Sequence, residues 1–217
     1  RSVQQIVDVA SEFIQRNPGQ FQKKVSALKS SDRDPIICRP YQASRPDHIL
    51  DELLTTLNTR HRSKKENCSV FILTRYTFQR PSNLSKLIES NPSLEVQWKT
   101  VHGSKGLEAD YVIVHHLNGG NYGFPSEISN DPLLDMVIPE PEEFPDAEER
   151  RLFYVALTRA RRAVFCFYDP EKPSRFIEEL SGISGVKADK ADIDRYNPVL
   201  EAGTTCPVCK TSNMEPR

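Results

Sequence analysis

Two stretches of this chain carry residue types that handle anions. The first runs from Trp98 to Val114 (WKTVHGSKGLEADYVIV), with Thr100, His102, Ser104 and Lys105 at the end of a strand-like run. Gly103 and Gly106 allow a tight turn and a close backbone approach to a ligand. Amides and hydroxyls in such a turn can hold phosphates, and in open α/β sheets ligands sit at the carboxyl ends of strands. Glu108 offers acceptors to a sugar hydroxyl. The same residues would equally make an ordinary strand-to-helix turn with a surface lysine and glutamate, and both readings stand at this level.

The second stretch runs from Glu148 to Arg162 (EERRLFYVALTRARR). At 100° per residue, Leu152, Val155, Ala156 and Arg159 fall on one side of a helix. Arg159 is thus expected on a packed face, where a guanidinium needs an anion. That anion is either a buried carboxylate or a phosphoryl oxygen, which arginine can hold through two parallel hydrogen bonds. Arg161 and Arg162 are expected at the helix end as solvated charges complementing its dipole. Arg1 precedes a helix whose first amides favour anions. Near the other end, Cys206 and Cys209 form a CxxC, half of the four-ligand set of a structural zinc site. No second pair or histidine follows, so Zn²⁺ is expected there only with ligands beyond residue 217.

The elements that must position these groups alternate. Val3, Ile6, Val7, Ala10, Phe13 and Ile14 recur at helical spacing. Ser2 with Gln5 fits a capping box, and Asn17-Pro18-Gly19 ends the helix. A short strand is expected within 34–41, a helix over 46–59, a charged connection over 60–66 and a buried strand over 68–75. A helix over 82–90 and strands over 94–102 and 111–117 follow. A long surface loop covers 119–145, then come a helix over 146–162, a strand over 163–168 and a helix over 174–180. Strands alternating with helices specify an α/β fold with a mainly parallel sheet. Beyond Ser181 the pattern dissolves.

Composition excludes several classes. Lys+Arg 29 against Asp+Glu 30 gives a net charge of -1 over 217 residues, so nucleic-acid binding must be local rather than driven by the whole-chain field. No apolar run approaches the roughly 18 residues of a membrane span, so no membrane partner is expected. Cys38, Cys68 and Cys166 lie in apolar strand-like contexts and read as buried thiols of a reducing, cytoplasmic compartment. No GxxxxGK[ST] phosphate loop occurs. The chain has arginines suited to a nucleotide without the loop that would cradle it.

Read together, the motifs resemble the second RecA-like domain of superfamily 1 UvrD/Rep-type DNA helicases. TVHGSKGLEADYVIV resembles motif V, EERRLFYVALTRARRAVF motif VI and RSVQQIVDVASEFI the end of motif IV. VFILTRY resembles the strand motif between IV and V. The resemblance covers roughly residues 1–168 and implies a RecA-like three-layer sandwich. It implies that ATP sits between two such domains, the other one carrying the phosphate loop and most of the Mg²⁺ site. It implies arginine-finger roles for Arg159 and Arg1, nucleotide contacts for Glu108 and Gly106, and contacts of Thr100 and His102 with single-stranded DNA. Arg75 is a candidate DNA-side cation or a surface ion pair. Phe124, in the loop 119–126, is a candidate base stacker or a core residue. The family's better-known members insert an accessory domain between the strand motif and motif V, where this chain has room for one helix and one strand.

The expected organisation is a RecA-like domain over 1–180, a linker over 181–205 and a truncated zinc-ribbon-like knuckle over 206–217, the tail being flexible. The implied function is the C-terminal motor domain of an ATP-dependent 3′-5′ DNA helicase, inactive alone. The alternatives are an ATP-driven translocase or a protein-displacing factor acting on RNA polymerase, without useful unwinding, and a non-enzymatic nucleic-acid-binding module.

Overall fold

The computed structural model describes residues 2–20, 26–27, 34–64, 67–128 and 144–188. Its helices are α1 (Gln4–Gln15), α2 (His48–Lys64), α3 (Leu84–Ser90), α4 (Ala147–Leu157) and α5 (Arg175–Ser181). Its strands are β1 (Ile36–Pro40), β2 (Cys68–Thr74), β3 (Leu94–Thr100), β4 (Ala109–Val114), β5 (Ala160–Tyr168) and β6 (Val186–Ala188). They form one sheet in the order β3-β2-β4-β5-β1-β6, and every pairing is parallel.

The sheet is covered on both faces. On one side α1, α4 and α5 bury Ile6, Phe13, Phe153, Phe176 and Leu180 against Phe71, Val112, Val164 and Cys166. On the other, α2 and α3 bury Leu50, Leu54, Leu57 and Leu87 against Val70, Ile72, Ile113 and Phe167. This double covering explains why β2 reads as an almost unbroken apolar run rather than an alternating one. The result is the three-layer α/β sandwich that the resemblance implied. No helix among the described residues is long and apolar enough to cross a membrane.

Local details correct four sequence expectations. Ser2 does not cap α1, whose N-cap is Val3 without a side-chain bond. The Ser2 hydroxyl instead donates to the Thr158 carbonyl (3.2 Å), and the Val3 amide donates to the Arg161 carbonyl (3.2 Å). A tertiary partner has taken the group that a local cap would have used. Helix α2 continues through residues 60–64, expected as a connection. Nothing in that stretch breaks a helix, and His61, buried there, meets the Tyr111 hydroxyl at 3.2 Å.

Helix α4 stops at Leu157 rather than at Arg162. The Thr158 hydroxyl donates to the Tyr154 carbonyl (3.0 Å) and Arg159 Nε to the Val155 carbonyl (3.0 Å). These cover carbonyls that a helix end leaves unpartnered. Residues 160–162 then join β5, where Ala160 registers with Ala109; sheet pairing overrides their helical preference. Finally, residues 186–188, inside the stretch read as a linker, add a sixth strand beside β1.

Candidate functional site

Because all strands point the same way, their carboxyl ends share one edge of the sheet and their amino ends the other. Thr74 and Thr100 are register partners at the ends of β2 and β3, so Arg75, Thr100 and His102 lie at the carboxyl edge. Glu108 and Arg159 immediately precede Ala109 and Ala160, which pair at the starts of β4 and β5. They lie together at the amino edge. The 98–114 stretch therefore serves both edges, running from one to the other between β3 and β4. Gly106 sits in that crossover at φ +83°, a left-handed conformation that a side chain would strain.

At the amino edge the Arg159 guanidinium is half-buried. Besides the Val155 carbonyl it donates to the Leu107 carbonyl (3.2 Å) and the Thr158 hydroxyl (3.3 Å). Its own carbonyl accepts from the Ala109 amide (3.0 Å). Arg159 thus ties the end of α4 to the residue beside Glu108. The expectation of a packed helical face is corrected: the side chain emerges from the turn after α4, and none of its recorded partners among the described residues is a carboxylate. A guanidinium has five N–H donors, and neutral acceptors engage three. Two donors and the full charge remain, which fits phosphoryl oxygens. Glu108 is exposed beside it.

The buried arginine of α4 is Arg150, which sequence reasoning passed over. It is 4% exposed, holds both oxygens of Glu179 (2.5 and 2.7 Å) and lies over the rings of Phe13, Phe144 and Phe176. The packed face of α4 runs through Arg150, Phe153 and Leu157, rotated by more than one residue step from the face expected through Leu152 and Val155. A buried-arginine argument therefore belongs to Arg150, and its anion is internal.

At the carboxyl edge, the Thr100 hydroxyl accepts from the Gly103 amide (3.1 Å) and holds the turn. His102 and Lys105 are exposed. With Glu148, Arg151, Leu152 and Val155 they line a recess of about 180 Å³, smaller than the roughly 300–1,000 Å³ of ligand pockets. It is a surface contact rather than a closed site. Ser104 is buried, and its hydroxyl donates to the Val101 carbonyl (2.6 Å), so it is structural. Arg75 is held by Glu149 through Nε and Nη2, the shortest contact being 2.7 Å. Phe124 is fully buried, edge-on to Phe153 at 5.4 Å; it is a core residue. The exposed ring of its loop is Tyr122, grouped with Phe78 and Tyr76.

Arg161 and Arg162 lie on β5, not at a helix end. Both reach Asp110, at 3.4 and 3.3 Å. Burial pushes the Asp110 carboxyl up, but the Ser69 amide and hydroxyl and the two arginines outweigh it and hold it below the ordinary range. A second group went unread: Asp47, His115 and His116 converge at the carboxyl end of β4. Burial, with the neighbouring imidazole, lowers His116 to about 4. The adjacent histidines after an apolar strand were the available signal. Arg1, Cys206 and Cys209 lie outside the described residues.

Comparison with known proteins follows the same geography. The model of the UvrD-like helicase C-terminal domain family matches residues 50–170, a span that takes in Arg75, the β3–β4 crossover, α4 and Arg159. DNA helicase IV of Escherichia coli (strain K12) is 39% identical over 178 residues, 82% of this chain and 25% of that protein. ATP-dependent DNA helicase Rep of Buchnera aphidicola subsp. Schizaphis graminum is 36% identical over 109 residues, 45% of this chain and 15% of that protein. The chain thus spans about a quarter or less of these curated relatives. A solved C-terminal domain of a possible DNA helicase from a Lactobacillus overlies 87% of this chain and 97% of its own, at TM-score 0.45 and 15% identity. With the stretches 70–76, 100–114 and 148–165 inside a matched span that covers more than half of the chain, the chain belongs to the UvrD-like helicase C-terminal domain family.

Proposed function

We propose that this domain is the second lobe of an ATP-dependent DNA helicase that moves 3′ to 5′ on single-stranded DNA, a partner lobe completing its nucleotide cleft. One observation carries the reading. Arg159 has no carboxylate partner among the described residues and, at the amino edge, donates to the carbonyl next to Glu108. The names of the relatives support it, since they are DNA helicases and one is ATP-dependent.

When bound, ATP supplies the free energy of phosphoryl transfer. Arg159 would donate to its phosphoryl oxygens, Glu108 would accept from its ribose, and Gly106 lets the crossover turn beside them. Arg1 is proposed as a second anion contact, because Ser2, which follows it, is tied to Thr158. Mg²⁺ and the phosphate loop are assigned to the partner lobe: Glu108 is the sole carboxylate over 98–109. Thr100 and His102 offer hydrogen bonds to a DNA backbone at the opposite edge. Helix α4 joins the two sites, its first turns lying beside His102 and Lys105 and its last residue, Leu157, two positions before Arg159. Eleven residues at 1.5 Å each make it about 16 Å long, so a displacement of Arg159 is carried rigidly to the DNA side.

The test uses the full-length protein and partial duplexes with a 3′ or a 5′ single-stranded tail. Strand displacement that requires ATP and a 3′ tail, with weaker single-strand binding by Thr100→Val and His102→Ala, is expected. Displacement from the 5′ tail would overturn the direction, and ATP hydrolysis without displacement would replace the helicase with a translocase.

A further inference from the structure

The group at the carboxyl end of β4 has no part in the function above. His115 and His116 follow directly on Val114, and Asp47 immediately precedes α2. Successive side chains of a strand point to opposite faces. Here His116 adopts φ 61°, which ends the strand and brings both rings to one place, centroids 4.0 Å apart. One potential ligand atom from each of Asp47, His115 and His116 lies within 4.8 Å of the others.

Two observations separate this group from ordinary polar packing. His115 is fully buried, yet neither ring nitrogen has a hydrogen-bond partner. Such an orphan in the interior calls for a missing partner. Its Nε2 stands 3.5 Å from Asp47 Oδ1. That is long for a hydrogen bond, but around a tetrahedral ion with bonds of about 2.1 Å neighbouring ligands stand about 3.4 Å apart.

The surrounding groups fix the orientation that ligation needs. The Ser82 amide and hydroxyl both donate to Asp47 Oδ2, each at 3.3 Å, leaving Oδ1 toward His115. The Tyr41 hydroxyl meets His116 Nδ1 at 3.2 Å and accepts from Asn118 Nδ2 at 2.6 Å. A metal-bound imidazole typically has its second nitrogen held in this way, which here leaves His116 Nε2 for the ion.

We propose that Asp47, His115 and His116 form a binding site for a divalent transition-metal ion of the Zn²⁺ class, with two imidazoles, one carboxylate and a remaining position for water. Two imidazoles with a carboxylate suit such ions better than Ca²⁺ or Mg²⁺, which prefer all-oxygen sets. The ion would pin the start of α2 to the end of β4. It is distinct from any zinc bound by the tail cysteines.

The test is Co²⁺ binding by the full chain carrying Cys206→Ser and Cys209→Ser, which removes the competing thiolates. One equivalent is expected, with visible bands of nitrogen and oxygen ligation, no thiolate charge-transfer band, and displacement by Zn²⁺. Asp47→Asn keeps the shape of the side chain, and His116→Asn suits the left-handed backbone. Each should weaken binding by about tenfold or more, and Tyr41→Phe by about tenfold, with circular dichroism unchanged. Zn²⁺ should raise the melting temperature of the Cys→Ser parent and not of these variants. Absence of Co²⁺ uptake in equilibrium dialysis, or uptake that Asp47→Asn and His116→Asn leave unchanged, overturns the proposal.

Discussion

Arg150, inside α4, and Arg159, in the turn that follows it, face opposite chemistry. Arg150 is buried, its charge met by both oxygens of Glu179 and its flat faces by aromatic rings. Arg159 is half-buried and, among the described residues, bonded to carbonyls and a hydroxyl. A buried guanidinium must bring its own carboxylate, because an unpaired charge in the interior is too costly. One at an edge can be positioned by neutral acceptors and keep its charge for a ligand. Arg75 falls between, at the other edge of the sheet, with 19% of its side chain exposed and Glu149 beside it.

The contrast can be broken at its strongest point first. Arg159→Ala in the full-length protein should lower ATP turnover by about 10³–10⁵ while urea unfolding stays near the parent. Normal turnover would return Arg159 to a helix-capping role. Arg150→Met should do the reverse. Removing one partner of a buried pair costs about 3 kcal/mol or more, read in urea unfolding, with ATPase per folded molecule unchanged. A stable Arg150→Met protein with lost ATPase would erase the distinction between the two arginines. The smallest effect sharpens the third case. Glu149→Gln frees the Arg75 charge and should steepen the salt dependence of single-strand binding by about 0.7 in log–log slope, one phosphate contact. An unchanged slope would take Arg75 off the DNA path.

Much of the fold was legible in the sequence because burial on both faces leaves a strong trace. The apolar runs of β2 and β4 and the leucines of α2 could hardly have served other elements. The failures share a cause. Ser2 had a local cap available and used a distant carbonyl; residues 160–162 had helical preferences and joined a strand; Arg159 was projected onto a helix that had already ended. Each was decided by a partner far away in the chain. Phe124 and Tyr122 make the same point within one loop: both are aromatic, and only packing against Phe153 and Phe176 decided which one was buried.

The sequence by itself determined the alternation of strands and helices, the run of motif residues between Trp98 and Arg162, and the family they belong to. These depend on residue type and spacing along one segment. The tertiary structure alone decided that Glu108 and Arg159 share one edge of the sheet while Thr100 and His102 occupy the other. It alone gave Arg150 and Arg75 their carboxylates and gathered Asp47, His115 and His116 into one group. Those outcomes depend on strand order and on contacts between segments far apart in the chain, and no local pattern carries that information.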